Sequence, residues 1–182
     1  MGLRPARTCR EISKQAWTRF SRKKPRKSYV KSMPHLALNI TAMGNSQGYY
    51  THRIDLVAKK PVQIRDNALE SARMAVNKTF ETKIPSDYFF FVRVYPHHVI
   101  REVKLVFGAG ADRIQKGMKH AWGRPSDRAA RVKEGDVIFT THVKEQNIPV
   151  VKAAYRLAKI KMPGSYAIRV VKEQRGTPPT EE

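Results

Sequence analysis

Apolar residues alternate from residue 52 to 58, with Ile54 and Leu56 on one face and Arg53 and Asp55 on the other, the period of a half-buried strand that Pro61 closes. The period then lengthens. Over residues 66–80, Leu69, Ala72, Val76 and Phe80 form a helical stripe, and Asn67 and Glu70 stand at capping-box spacing. Residues 88–95 predict a buried strand, and 99–107 alternate well enough for another. Residues 128–133 and 137–143 flank Glu134, Gly135 and Asp136, which predicts a hairpin. A second helix is predicted over 149–160, with Val150, Val151, Ala154, Leu157 and Ala158 on adjoining faces and Pro163-Gly164 as its stop. Residues 166–171 read as the last strand.

Residues 36–50 carry no Asp, Glu, Lys or Arg, and Gly44, Asn45 and Gly48 supply turn chemistry, so this stretch reads as a connector packed against the domain. With several short turns and only two helices, the economical arrangement is α+β: an antiparallel or mixed sheet with both helices packed on one face. The expected organisation is a basic extension and connector over 1–50, the α+β core over 51–171 with a long loop at 104–125, and a flexible polar tail over 172–182. No internal repeat stands out.

Charge changes this picture more than composition does. The 182 residues are 41% hydrophobic, enough for a modest core, but 36 Lys and Arg stand against 15 Asp and Glu, a formal charge of +21. Such a surface wants a polyanion. Lipid is disfavoured as that partner, because the most apolar run, residues 88–92, ends at Arg93, far short of the roughly 20 residues that span a bilayer. The first thirty residues are Arg-rich and acid-poor, as organellar transit peptides are, yet they lack an apolar stripe and contain Pro5 and Pro25. Cys9 is the single cysteine, so no intramolecular disulfide forms, which fits a reducing cytoplasm.

The charge is also uneven. Residues 1–35 hold eleven cations (Arg4, Arg7, Arg10, Lys14, Arg19, Arg22, Lys23, Lys24, Arg26, Lys27, Lys31) against Glu11 alone, so the segment cannot collapse on itself in water. Trp17, Phe20 and Tyr29 lie among those cations and could stack on bases once a nucleic acid neutralises the charge; a solvated tail is the plainer alternative. Arg4, Arg7, Arg10, Arg19, Arg22, Lys23, Lys24, Arg26 and Lys27 are the candidate RNA contacts here. Nearer the core, Arg101, Lys104, Arg128 and Arg131 join them.

Between the strands at 99–107 and 128–133 lies Gly108-Ala-Gly-Ala-Asp-Arg-Ile-Gln-Lys-Gly-Met-Lys-His-Ala-Trp-Gly-Arg-Pro125. A loop of about twenty residues in a compact domain is usually functional or disordered. Gly108, Gly110, Gly117 and Gly123 allow close backbone approach, Arg113, Lys116, Lys119 and Arg124 offer phosphate partners, and Trp122 a stacking face. A nucleotide-binding glycine loop would need further spacing that Arg113 interrupts, and a plain structural loop leaves its cations unexplained. His97 and His98, with Glu102 nearby, invite a metal reading, but neighbours on a strand point to opposite faces and cannot easily share one ion. Cys9 has basic neighbours without a Cys/His/Asp constellation, and reads as a small residue. No cofactor or metal is expected.

The segment Gly108-Ala-Gly-Ala-Asp-Arg113 followed by Gly117-Met118 resembles the signature of the archaeal and eukaryotic large-subunit ribosomal protein ten-e family, whose bacterial counterpart is large-subunit ribosomal protein sixteen. Arg4-Pro5-Ala6-Arg7, Ala16-Trp17-Thr18-Arg19, Pro34 with Met43-Gly44, Leu69-Glu70 with Ala72-Arg73 and Asn77, and Pro96-His97 with Val99 and Arg101-Glu102 extend the likeness over residues 4–171, closer to archaeal members. It implies an α+β body with its basic amino-terminal segment buried among ribosomal RNA helices. It also implies a place near the aminoacyl-site transfer RNA, with the loop equivalent to residues 104–124 reaching toward the peptidyl-transferase centre. Met33 departs from the family's frequent Gly before Pro34, and the tail beyond Lys172 has no secure counterpart.

The expected function is therefore that of a non-catalytic ribosomal protein in the cytoplasm. Its expected partners are large-subunit rRNA, tRNA on the aminoacyl-site side and neighbouring ribosomal proteins, without a membrane or a small-molecule substrate. An RNA-modifying enzyme is the alternative from another class, and would need a cofactor loop or a paired acid and base. A DNA-compacting or membrane-surface protein is the third. Removal of residues 1–31 is expected to weaken RNA binding and leave the domain folded.

Overall fold

The alternating segment around Ile54 becomes β2 (Tyr50–Ala58), a central strand in a computed structural model that describes residues 5–12, 30, 33–103 and 123–175. The other elements follow as β1 (Ala42–Gly44), β3 (Val62–Arg65), α1 (Asp66–Lys83), β4 (Tyr88–Val92), β5 (His98–Glu102), β6 (Arg124–Val132), β7 (Val137–Val143), α2 (Ile148–Lys161) and β8 (Tyr166–Arg175). Two antiparallel sheets result, one of five strands ordered β1-β4-β7-β2-β8 and one of three ordered β3-β6-β5.

In the larger sheet β7 lies between β2 and β4, and β2 lies between β7 and β8. Since β2 is antiparallel to both β7 and β8, and β4 is antiparallel to β7, each helix links two parallel strands across an intervening one. These are two interlocked split β-α-β units, the strand order of ferredoxin-like α+β folds. Both helices cover the same sheet face. Rows such as Phe90–Thr141–Ile54 and Val92–Phe139–Leu56 stand in register on that face and join Leu69, Val76 and Phe80 of α1 and Val151, Tyr155 and Ala158 of α2 in one core.

Aromatic contacts knit the layers. Phe80 of α1 meets Phe90 edge-on at 5.8 Å, Phe90 meets Phe139 at 5.2 Å, and Phe139 lies 6.4 Å from Tyr155 of α2. Burying each such ring stabilises by about 2–3 kcal/mol, and ring pairing adds about 1 kcal/mol, against about 0–1 kcal/mol for an exposed ion pair such as Lys144–Asp87. The core therefore sets stability. The fully buried Tyr155 hydroxyl donates to the Ile54 carbonyl at 3.1 Å and shares a 2.7 Å bond with Thr141, and burial pushes its pKa far up. It pins α2 to the middle of the sheet.

The α+β expectation holds, with both helices on one face, but four local readings are corrected. The segments around 128–133 and 137–143 do not form a hairpin: β6 belongs to the small sheet and β7 to the large one. The turn between them, with Gly135 at φ +85, instead clips onto β2, where Gly135 N–H donates to the Ala58 carbonyl and Ala58 N–H to that of Asp136. Turn chemistry marks a reversal without fixing which strands pair. The capping box also fails, because Asn67 lies inside α1, whose N-cap position is Arg65; Asp66 Oδ1 accepts from the Asn67 N–H, and Glu70 pairs with Arg73.

Strand lengths shift as well. Within the described residues β4 stops at Val92, β5 stops at Glu102, and β8 continues to Arg175. Leu157, assigned to the apolar stripe of the second helix, is 48% exposed. Val62 and Ile64 alternate with Gln63 and Arg65 as β3, a strand too short to show in the pattern.

A candidate nucleic-acid interface on the small sheet

The three-stranded sheet is inserted into the two-unit core, β3 before α1 and β5–β6 between β4 and β7. Its register puts Val62, Ile64, Ala130 and Val132 on the face that joins the main core. The opposite face carries Gln63, Arg65, Asp127, Ala129, Arg131, His98 and Ile100. Arg65, itself buried, anchors this face with an ion pair to Asp127 at 2.9 Å.

Residues 5–12 dock on that face. Cys9, 2% exposed, packs with Ile100 and Ala129 in a small second core. The Gln63 side-chain amide donates to the Cys9 carbonyl at 2.8 Å, and the Gln63 backbone N–H donates to the Arg10 carbonyl at 2.7 Å. A short 3-10 turn over Ala6–Thr8 is closed by bonds from the Thr8 N–H and hydroxyl to the Pro5 carbonyl. The start of the basic segment is thus attached to the domain, and Arg7 and Arg10 are exposed beside the small sheet. Cys9 is the plug, as its reading as a small residue implies.

The candidate contacts divide as follows. Arg7, Arg10, Arg124 and Arg131 are exposed, and Arg101 is half-buried on β5. Arg128 is partly committed to structure: its Nε donates to the Pro34 carbonyl at 2.8 Å and ties the connector to β6. Arg124 opens β6 beside Gly123, whose φ is +67 and where a Cβ would lie 2.6 Å from the Glu102 carbonyl carbon, so only glycine lets β5 and β6 approach this closely at the base of the loop. Arg4, Arg19, Arg22, Lys23, Lys24, Arg26, Lys27 and Lys104, with Gly108, Gly110, Arg113, Lys116, Gly117, Lys119 and Trp122, lie outside the described residues. Sequence reading missed the Cys9–Gln63 attachment, since its partners are 54 residues apart.

His98 faces Arg131 across this surface. Burial, with Arg131 second, pushes its imidazole down to about 4, so it is neutral at pH 7. The unfolded imidazole takes up a proton below about pH 6.5, while the folded one resists until about 4, so the unfolded state binds more protons in that window. His98 therefore contributes stability that is full above about pH 6.5 and lost toward pH 4. Acidification is expected to cost on the order of 2 kcal/mol through this group, after discounting its partial exposure. Urea denaturation of wild type and His98→Asn at pH 7 and about pH 4.5 checks this: the variant should lose less on acidification. Equal losses would remove His98 from the acid sensitivity.

Among the described residues no group of three or more His, Cys, Asp or Glu is placed to hold a metal ion, and no helix is long and apolar enough to cross a membrane. An open groove lined by Gly44, Asn45, Glu81, Pro85, Ser86 and Tyr88 brings one carboxylate and one phenol, and the Tyr88 hydroxyl donates to Asn77 Oδ1 at 2.9 Å. The exposed arginines beside the small sheet are suited to ionic contact with a polyanion.

Residues 17–169 match the family described as ribosomal protein L16p/L10e. The large ribosomal subunit protein uL16 of Archaeoglobus fulgidus is 42% identical over 157 residues, covering 86% of this chain and 90% of the relative. That of Hyperthermus butylicus is 43% identical over 147 residues (80% and 82%), and that of Methanococcus maripaludis strain DSM 14266 is 39% identical over 173 residues (94% and 96%). The sequence resemblance and these matches converge: the chain belongs to the ribosomal protein L16p/L10e family.

Proposed function

We propose that the protein binds large-subunit rRNA through its basic amino-terminal segment and the outer face of the small sheet, and presents its long loop toward tRNA near the peptidyl-transferase centre. Membership of the family makes it a structural constituent of the large ribosomal subunit, located in the cytoplasmic ribosome, and not an enzyme. Neighbouring ribosomal proteins and rRNA are its partners. In this reading residues 1–50 act as extension and connector, 51–171 as the core that carries loop 104–125, and 172–182 as the tail, whose first residues extend β8.

The observation that carries the RNA proposal is the docking of residues 5–12: Cys9 and Gln63 fix the origin of the cation-rich segment on a face that already holds Arg131. Contacts to phosphates give affinity and orientation without reading sequence, so the folded shape of the RNA selects the site. Arg suits bidentate bridging of phosphates, and Lys adds charge. The test is co-sedimentation with large subunits washed at high salt. The protein should stay with the particle, whereas a loosely attached enzyme or a DNA- or membrane-surface protein would wash off.

A further inference from the structure

A second group of cations belongs to elements other than the amino-terminal segment, the small sheet and the loop. α2 carries Lys152, Arg156, Lys159 and Lys161 and no Asp or Glu, whereas α1 carries Asp66, Glu70 and Glu81 among its cations. The turn after β2 adds Lys59 and Lys60, both exposed. That turn is fixed against the end of α2, because the Lys59 N–H donates to the Ser165 carbonyl at 3.0 Å in the turn that leaves the helix.

The cations are close enough to feel one another. Burial, then Lys59, then Arg156 lower the pKa of the Lys159 ammonium. Among the described residues none of the six forms an ion pair. Glu134 and Asp136 sit in the turn clipped to Ala58, but the Asp136 carboxylate accepts the Lys133 N–H at 2.7 Å and neither acid pairs with the six.

A structural explanation covers only part of the group. Lys159 and Lys161, in the last turn of α2, offset the negative end of the helix. Lys59 and Lys60 lie off the helix, Lys152 is two turns away from its end, and Arg156 and Lys159 are like charges at i,i+3, which weakens the isolated helix. Next to them Ile160 is 79% exposed and Leu157 48% exposed, apolar area that a solvated helix face gains nothing from showing.

We propose that the outer face of α2 and the β2–β3 turn form a second RNA seat, taking the phosphodiester backbone of an rRNA segment other than the one held by the amino-terminal segment. Lys152 and Arg156 are one turn apart, about 6 Å along the helix, so they can follow successive phosphates while Leu157 and Ile160 lie against the sugars. The protein then joins two RNA segments across its core. This rests on the rRNA-binding reading above.

The test uses the full-length chain and a large-subunit rRNA transcript. Lys59→Gln, Arg156→Gln and Lys159→Gln combined should lower affinity on the order of a hundredfold at about 0.15 M salt and reduce the slope of log K against log salt by roughly 2–3. Far-UV circular dichroism verifies that α2 is intact. In assembled subunits, an iron chelate tethered at Ile160→Cys should cleave rRNA at positions left intact when the wild-type chain, whose single thiol at Cys9 is buried, is treated in the same way. Unchanged affinity and slope, or proximity of residue 160 to protein alone, overturns the second seat. Failure of the wild-type chain to bind RNA overturns the rRNA reading itself, so the two failures are distinct.

Discussion

Replacing Arg4, Arg7, Arg10, Arg19, Arg22, Lys23, Lys24, Arg26 and Lys27 by Gln in the full-length chain is expected to lower affinity for large-subunit rRNA by at least about a thousandfold near physiological salt. Each phosphate neutralised contributes roughly 0.9 to the slope of log K against log salt, close to 0.7 log units at 0.15 M, so about half of the nine meeting phosphates suffices. Filter binding across a salt series measures both affinity and slope. Unchanged values would make the segment a solvated tail. Substitution is the sharper experiment than deletion of residues 1–31, because the structure alters the expectation for the deletion. Removing Cys9 uncovers Ile100 and Ala129, and removing the Cys9 and Arg10 carbonyls strips two partners from Gln63. The shortened chain should bind RNA less and also lose part of its small sheet, whereas glutamines leave that attachment in place.

The same attachment shows where sequence reading reaches and where it stops. β2 and α1 are legible because each has a one-sided apolar pattern, Ile54 and Leu56 at period two and Leu69, Ala72, Val76 and Phe80 at the helical period. The partition into two sheets is not. A turn such as Glu134-Gly135-Asp136 looks the same whether the strands beside it pair with each other or diverge, and only the long-range pairings of β6 with β3 and β7 with β2 decide between these. β3 is hidden for a related reason: four residues between Pro61 and a helix give one repeat of the alternation, and β3 forms as a strand by pairing with β6.

For the proposed interface, charge pointed to a polyanion but said nothing of how the cations are arranged. A run of cations in sequence does not say which of them a fold will spend on itself. Arg128 holds the connector through Pro34, and Arg73 pairs with Glu70 on α1 and donates to Met43 Sδ at 3.0 Å. Conversely, Lys59 and Arg156 are 97 positions apart and unremarkable alone, and become a cluster only when the β2–β3 turn meets the end of α2.

Replacing Arg113, Lys116 and Lys119 together by Gln is expected to leave occupancy of large subunits within about twofold of wild type while slowing peptide synthesis by about tenfold or more. The separation follows from how the two surfaces are built. In the proposed function, incorporation draws on the amino-terminal segment, the small sheet and the α2 face, and the three substitutions alter no residue of these. The loop leaves from a base that Gly123 and Glu102 hold tightly closed, so changes among its central cations need not loosen the domain. A tenfold loss corresponds to about 1.4 kcal/mol, which is what one charge-assisted hydrogen bond to a tRNA or rRNA phosphate supplies. Quantitative mass spectrometry of purified subunits gives occupancy, and single-round peptide synthesis gives the rate. Parallel loss of both would make the loop an assembly element, and full activity at full occupancy would leave its cations without a role in translation.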